Sequence, residues 1–221
     1  MFGFKKIRTL RDVEIKLPFS ETRKRARILV IDDDEQAFPY ELLRKEGYNV
    51  TYWPRVENIK DLESGEYDVI ILDIRGVADK SISKTDGLGI LEHLKSYNPS
   101  QLIIAYSGQK FDLSHERFWK LADDYLGKPS PLITCKEKID ALLKNHFSPL
   151  HYWVVIENLL KESGASEINI RKFEDALVKS LKTGTSPKIE SILPYVTFGH
   201  HSLALINSLI SIILRLYEGT Q

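Results

Sequence analysis

The stretch Val69-Ile70-Ile71-Leu72-Asp73 decides the fold, because four branched apolar residues are followed directly by a carboxylate. Three further apolar runs also end in polar residues: Ile28–Ile31 before Asp32-Asp33-Asp34, Leu102–Tyr106 before Ser107-Gly108, and Tyr125–Gly127 before Lys128-Pro129. Short runs that are apolar throughout are typical of strands buried on both faces of a parallel sheet. Ligands bind at the carboxyl ends of such strands. The sequence therefore predicts one sheet edge that carries acids, a hydroxyl and a lysine.

These polar residues favour one kind of chemistry when they are taken together. Carboxylate oxygens are the ligands that Mg²⁺ prefers. A lysine and a hydroxyl can contact the oxygens of a phosphoryl group. Taken singly, each residue equally suits a helix cap, a turn or a solvated surface. The hypothesis of a magnesium and phosphoryl site therefore depends on the sheet bringing them together.

Residues 27–147 alternate strand and helix patterns and predict an α/β fold. Strands are expected at 27–32, 48–53, 68–73, 101–106 and 123–126, with helices ending near Gly47 and over 56–63, 88–96, 115–121 and 132–145. This alternation predicts a flavodoxin-like, doubly wound parallel sheet of five strands with helices on both faces.

The chain outside this region divides into a basic N-terminal extension, residues 1–26, and a helical tail, residues 148–221. Ser148-Pro149 interrupts the last helix pattern of the α/β region. Helical patterns then cover about 150–163, 168–182 and 198–217, without a strand pattern. We therefore expect a small all-helical C-terminal domain.

Composition is that of a soluble globular protein, with 221 residues, 43% of them hydrophobic. The formal net charge is zero, but residues 1–27 carry nine Lys/Arg against three Asp/Glu, whereas residues 28–147 carry 15 against 21. Cys135 is the only cysteine, so no intrachain disulfide can form. The most apolar segment, Leu203–Leu214, is shorter than the roughly 20 residues of a membrane span. We expect a cytoplasmic protein without a transmembrane segment.

The order of these polar residues resembles the receiver domain of two-component response regulators. The residues that carry the resemblance are Asp32-Asp33, Asp73, Asp86-Gly87, Ser107, Tyr125 and Lys128-Pro129. They lie within residues 27–147, about half of the chain. The resemblance does not extend to the helical tail.

The resemblance implies a phosphoprotein of a phosphorelay. Asp73 would be the phosphoacceptor, and a histidine kinase or a phosphotransfer protein would be the donor. Lys128 and Ser107 would contact the phosphoryl group, and Ser107 with Tyr125 would form the switch. The resemblance implies that Mg²⁺ is held by Asp33, Asp73, the backbone carbonyl of Arg75, and Asp32 directly or through water. Beyond self-catalysed phosphorylation and dephosphorylation, no enzymatic activity is expected.

The loop after Asp73 departs from the family pattern. Gly87 lies fourteen residues after Asp73, whereas about eight is usual in the family, so residues 76–85 form an insertion. This loop leaves a second hypothesis open, in which the fold is a non-phosphorylated interaction module. The Arg75 side chain could form a fork to a phosphoryl group, or could simply face solvent.

The tail and the basic extension each leave two interpretations open. Residues 148–221 carry seven Lys/Arg and seven Asp/Glu, and an apolar stripe recurs at helical spacing: Leu203, Ile206, Leu209, Ile210, Ile213 and Leu216. A helix with such a stripe is buried in its own domain or against a partner. The neutral charge favours a tail that contacts a downstream protein or forms a homodimer over a DNA-binding regulator with a divergent helical reader. Net charge alone leaves DNA binding open. The basic extension could bind an anionic surface or pack on the rest of the chain.

Overall fold

The computed structural model of the chain describes residues 7–13, 18–108 and 120–218, and the chain divides into two compact units. One unit runs from Pro18 to Phe147. The other combines the chain before Pro18 with the chain from Ser148 onward. The residues of the basic extension are therefore shared between the two units.

The first unit is built on the predicted five-stranded parallel sheet. Its strands are β1 (Arg27–Ile31), β2 (Asn49–Trp53), β3 (Val69–Asp73), β4 (Leu102–Ser107) and β5 (Asp124–Gly127). All neighbouring strands pair in parallel, in the order β2-β1-β3-β4-β5. This is the doubly wound order of flavodoxin-like folds, so the predicted fold class is confirmed.

Helices flank the sheet, one before β1, others between the strands and one after β5. They are α1 (Phe19–Arg25), α2 (Tyr40–Lys45), α3 (Ile59–Glu63), α4 (Gly87–Tyr97) and α5 (Leu132–His146). The helix that the sequence predicts over 115–121 falls largely outside the described residues.

The strand register brings the polar residues to one edge. Strand β3 is buried along its whole length, and Leu72 pairs with Ile31 of β1. The residues that follow this pair are Asp32 on one strand and Asp73 on the other. On the other side of β3, β4 continues past Tyr106, the partner of Asp73, to Ser107, which pairs with Gly127 of β5.

Helix α1 is a feature that the sequence did not predict. Pro18 interrupts an apolar pattern, but the structure begins a helix directly after it, where a proline costs no intrahelical hydrogen bond. Arg23 of this helix donates through Nε to Asp140 Oδ1 at 3.0 Å, and the Tyr48 hydroxyl donates to the same oxygen at 2.6 Å. Helix α1 is thereby fixed to α5 and to the start of β2.

The second unit is helical, as the tail pattern predicts. It contains α6 (Pro149–Glu162), α7 (Glu167–Thr183), α8 (Ile189–Ile192), α9 (His200–Tyr217) and a short 3-10 turn at Leu10–Asp12. Helix α9 packs against α6 and α7. Five residues of its predicted stripe are buried: Ile206, Leu209, Ile210, Ile213 and Leu216. The stripe is therefore core of this unit.

The N-terminal turn packs into the same helical unit. Leu10 is fully buried, and its backbone N–H donates to Glu174 Oε1 of α7 at 2.9 Å. Residues 7–13 of the basic extension therefore pack on the rest of the chain, which was one of its two interpretations. Within the part of the chain that the structure describes, no helix combines the length and apolarity that a membrane span requires.

Candidate functional site

Three carboxylates meet at the carboxyl edge of the sheet. Asp32 and Asp33 follow β1, Asp73 ends β3, and one ligand atom from each lies within 4.8 Å of the others. Asp32 and Asp73 are buried, whereas Asp33 is exposed. The structure thus brings together the three side chains that the sequence places in a metal site.

Lys128 joins two of these acids. Its ammonium group donates to Asp32 Oδ1 at 2.8 Å and also to Asp73 Oδ2. The Lys128 backbone N–H donates to the backbone carbonyl of Ser107 at 2.9 Å, so the backbones of these two residues are joined. The ammonium also lies 5.0 Å from the centre of the Tyr106 ring. One lysine therefore donates hydrogen bonds to two buried carboxylates.

The charge of this cluster is unbalanced. Burial raises the pKa of both Asp32 and Asp73, because it disfavours the charged form, and the bonds to Lys128 oppose this only in part. Burial alone would lower the pKa of Lys128, but its bonds to the two acids outweigh burial and raise it. Two buried carboxylates and one ammonium leave an excess negative charge, which a cation would neutralise.

The donor set fits a hard divalent cation. Asp32 Oδ2 is buried and lies 2.8 Å from the Lys128 ammonium. Its other oxygen, Oδ1, accepts from Lys128 and from the backbone N–H of Asp34 at 2.9 Å. The carboxylate oxygens of three neighbouring acids are the kind of ligand that Mg²⁺ takes in proteins. Arg75 lies two residues beyond Asp73, with an exposed side chain.

The two predicted switch residues have different environments. Ser107 is the last residue of β4 and is 4% exposed. Tyr125 in β5 is 51% exposed, and the Lys138 ammonium lies 5.0 Å from the centre of its ring. The Tyr125 ring therefore faces outward rather than into the core. The switch role of both residues stays a prediction.

Aromatic residues support the acidic loop, and the sequence analysis missed them. The Tyr106 hydroxyl donates to the carbonyl of Ala37, and its ring meets Phe38 edge to face at 5.2 Å between ring centres. The Tyr52 hydroxyl donates to the backbone carbonyl of Asp32 at 2.5 Å. The available signal was position, since Tyr106 immediately precedes Ser107 and Tyr52 lies near the end of β2.

The insertion after Asp73 is an ordered loop. The Asp86 carboxylate accepts from the backbone N–H groups of Gly76 at 2.6 Å, Val77 at 3.1 Å and Ala78 at 2.9 Å. Val77 is fully buried, and its carbonyl accepts from the N–H of Val56 at 2.7 Å. The loop is therefore held by Asp86, the residue that follows it, and by the connection after β2.

Both ends of this loop touch the acidic site. A Cβ atom on Gly87 would lie 2.1 Å from the backbone oxygen of Asp73, so only glycine allows α4 to begin there. A Cβ atom on Gly76 would lie 2.2 Å from Asp33 Oδ2, and Gly76 has φ +77°. Gly87 lies farther from Asp73 in the sequence than is usual in the family. Even so, the backbone approaches the acidic site closely at both Gly76 and Gly87.

No protein-family model and no curated protein matches the chain. Solved structures do match about half of it. A two-component response regulator from Clostridium difficile is 24% identical, covering 54% of this chain and 97% of that one, with a TM-score of 0.45. A CheY-like receiver domain protein from Methanospirillum hungatei is 23% identical, covering 54% of this chain and 94% of that one, with a TM-score of 0.44.

A response regulator from Thermotoga maritima, solved in complex with Mg(2+)-BeF, is 30% identical. The match covers 53% of this chain and 99% of that one, with a TM-score of 0.44. These structures carry the names of the family that the sequence resembles.

Proposed function

We propose that this chain is a response regulator of a two-component phosphorelay and that Asp73 accepts the phosphoryl group. One observation carries the proposal: Asp73 ends a buried strand, bonds to Lys128 and shares a cluster with Asp32 and Asp33. The backbone N–H of Ile74 donates to Asp73 Oδ1 at 2.6 Å. Each oxygen of Asp73 therefore has a donor, which fixes the orientation of the nucleophile.

The reaction is a phosphoryl transfer between two side chains. An oxygen of the Asp73 carboxylate attacks the phosphorus of a phosphohistidine on the kinase or phosphotransfer protein. The new O–P bond forms as the N–P bond breaks, and the histidine nitrogen leaves with the electron pair. Lys128 balances the charge on one phosphoryl oxygen, and Ser107 donates a hydrogen bond to another.

Magnesium is the cofactor of this proposal. Bound Mg²⁺ would supply positive charge to the phosphoryl oxygens, and the groups that would hold it are Asp32, Asp33, Asp73 and the backbone carbonyl of Arg75. The cluster of three carboxylates and its excess negative charge support this assignment.

The output of the proposed switch is a protein contact. Ser107 would move toward the phosphoryl group, and Tyr125, now half exposed, would repack inward. The helical unit would transmit the change to a downstream protein, or to a second copy of the chain. Apart from its own phosphorylation and dephosphorylation, the protein would catalyse no reaction.

A phosphorylation assay tests the acceptor. The full chain is incubated with acetyl phosphate and Mg²⁺, and its intact mass is measured beside Asp73→Asn. We expect the mass of one phosphoryl group on the wild type, none on the variant, and none on the wild type after chelation of the metal. An unmodified wild type, under conditions that label a control receiver, would favour the interaction module.

A further inference from the structure

We infer that Asp86 is a positioning residue for the proposed metal and phosphoryl site, an inference that rests on the proposed function. Its carboxylate holds the backbone segment that follows Asp73. The inserted loop therefore connects the Asp86 carboxylate with the residues of the proposed site.

Asp86 stands at the helix N-cap without acting as a cap. An aspartate at this position usually accepts a hydrogen bond from the first turn of its own helix. The Asp86 side chain accepts none from α4. Its oxygens instead bond to the N–H groups of residues 76–78, eight to ten positions earlier. The carboxylate therefore stabilises the loop and does not cap the helix.

The bond to Gly76 fixes one particular peptide group. The peptide between Arg75 and Gly76 is planar and trans, so its carbonyl points opposite to its N–H. The Gly76 N–H is held by Asp86 Oδ2 at 2.6 Å. The direction of the Arg75 carbonyl is fixed by the same bond, and this carbonyl is one of the proposed ligands.

The Gly76 end of this peptide lies against the Asp33 carboxylate, which is a second proposed ligand. The space where a Cβ atom would stand on Gly76 is taken up by the Asp33 carboxylate, 2.2 Å away. A shift of Gly76 would therefore change the space available to this carboxylate. Asp86 thereby acts on two ligands at once, the Arg75 carbonyl directly and Asp33 by contact.

The backbone of Asp86 is held in a conformation that side chains rarely adopt. Its φ is +54° and its ψ is −130°, a region that favours glycine. The three bonds to its carboxylate, and the bond from Ser83 Oγ to its carbonyl at 2.7 Å, hold it there. A glycine would fit this backbone more easily, so the aspartate is explained by its carboxylate.

Asp86→Asn tests the inference with little change in shape. The amide oxygen can still accept from Val77 and Ala78, but the NH₂ group cannot accept from Gly76. We expect Mg²⁺ affinity of the full chain, measured by calorimetry, to fall about tenfold, as metal sites lose affinity when an outer partner is removed. Bound Mn²⁺, measured by water proton relaxation, should carry one more inner-sphere water than in the wild type.

Asp79→Asn is the matched control. Asp79 lies in the same loop and loses the same charge, but its carboxylate is exposed and pairs with Arg55 at 3.9 Å. It should bind Mg²⁺ as the wild type does. Asp86→Gly is the second variant, because it removes the carboxylate and relieves the backbone. It should remain folded and lose affinity as Asp86→Asn does.

The outcomes separate this inference from the proposed function. Suppose that the wild type binds Mg²⁺ and takes phosphate, and that Asp33→Ala abolishes Mg²⁺ binding. If both Asp86 variants then bind Mg²⁺ as the wild type does, the inference is overturned and the proposed response regulator function stands. If thermal stability falls while affinity and hydration stay unchanged, Asp86 is only structural and the inference is again overturned. A wild type that binds no Mg²⁺ and takes no phosphate overturns both.

Discussion

At the scale of single residues, the main feature of the site is its excess of negative charge. Lys128 is the ammonium that compensates two buried carboxylates, Asp32 and Asp73. Burial raises the pKa of both acids, so the metal-free folded state binds protons more tightly than the unfolded chain. The free energy of unfolding therefore falls as pH rises through these pKa values, and the stability is regained in acid.

Asp32→Asn should stabilise the metal-free protein at neutral pH while weakening its binding of Mg²⁺. The variant keeps an oxygen for the N–H of Asp34 and leaves one carboxylate for one ammonium. We expect a gain on the order of 1 kcal/mol in the free energy of unfolding. Because the wild type has one more buried acid with a raised pKa, the advantage of the variant should grow as pH rises above the ordinary range of aspartate.

Urea unfolding in the presence of a chelator measures this effect. Asp33→Asn is the control, because Asp33 belongs to the same cluster but is exposed, and it should change stability by less than about 0.5 kcal/mol. Equal stabilities of wild type and Asp32→Asn at every pH would contradict the charge argument.

At the scale of elements, the positions of the helices follow from a few polar anchors. Helix α1 is joined to the sheet unit through Asp140, which accepts from both Arg23 and Tyr48. The Arg23 guanidinium also lies over the rings of Phe19 and Tyr48, about 5 Å from each ring centre. A short helix with no buried residue of its own is held by these contacts.

Asp140→Ala should destabilise the sheet unit by about 2–4 kcal/mol, because it leaves a partly buried guanidinium and a buried hydroxyl without their acceptor. Glu46→Ala is the control, since it removes an acid from an exposed pair with Lys136 and should cost less than about 1 kcal/mol. Chemical unfolding of the full chain compares the two. A similar loss in both variants would mean that Asp140 does not anchor α1.

The sequence predicted the strands closely because buried parallel strands are apolar runs, as β3 and β4 show. The polar ends of these runs also predicted Asp32, Asp73 and Lys128 as neighbours. Helix α1 was missed because its anchors, Tyr48 and Asp140, are distant in the chain. The sequence also did not predict that the inserted loop has a fixed conformation. That conformation depends on the Asp86 carboxylate, which accepts from N–H groups up to ten residues earlier.

At the scale of the whole molecule, the chain forms two compact units, and each has its own core. The core of the helical unit depends on α9, whose Ile206, Leu209 and Ile210 are fully buried. The sequence could not distinguish a stripe that packs internally from one that awaits a partner, because both require the same apolar residues. Packing against α6 and α7 resolves this for α9.

Ile210→Asp should unfold the helical unit, because a charge at a fully buried position costs several kcal/mol. Circular dichroism should record a loss of helix near 222 nm. Asn207→Asp, which places the same charge at an exposed position of α9, should leave the spectrum unchanged. A helical unit that tolerates both substitutions would mean that α9 is not its core.

The bond between Leu10 and Glu174 spans 164 positions in the chain. During synthesis, the turn at Leu10–Asp12 therefore leaves the ribosome long before the helix that receives it. The sheet unit, whose residues all lie between these two points, can be complete by then, whereas the helical unit must wait for α9. A fragment that stops at Phe147 would retain Asp73 and its acidic cluster but leave a fully buried leucine with no core to enter.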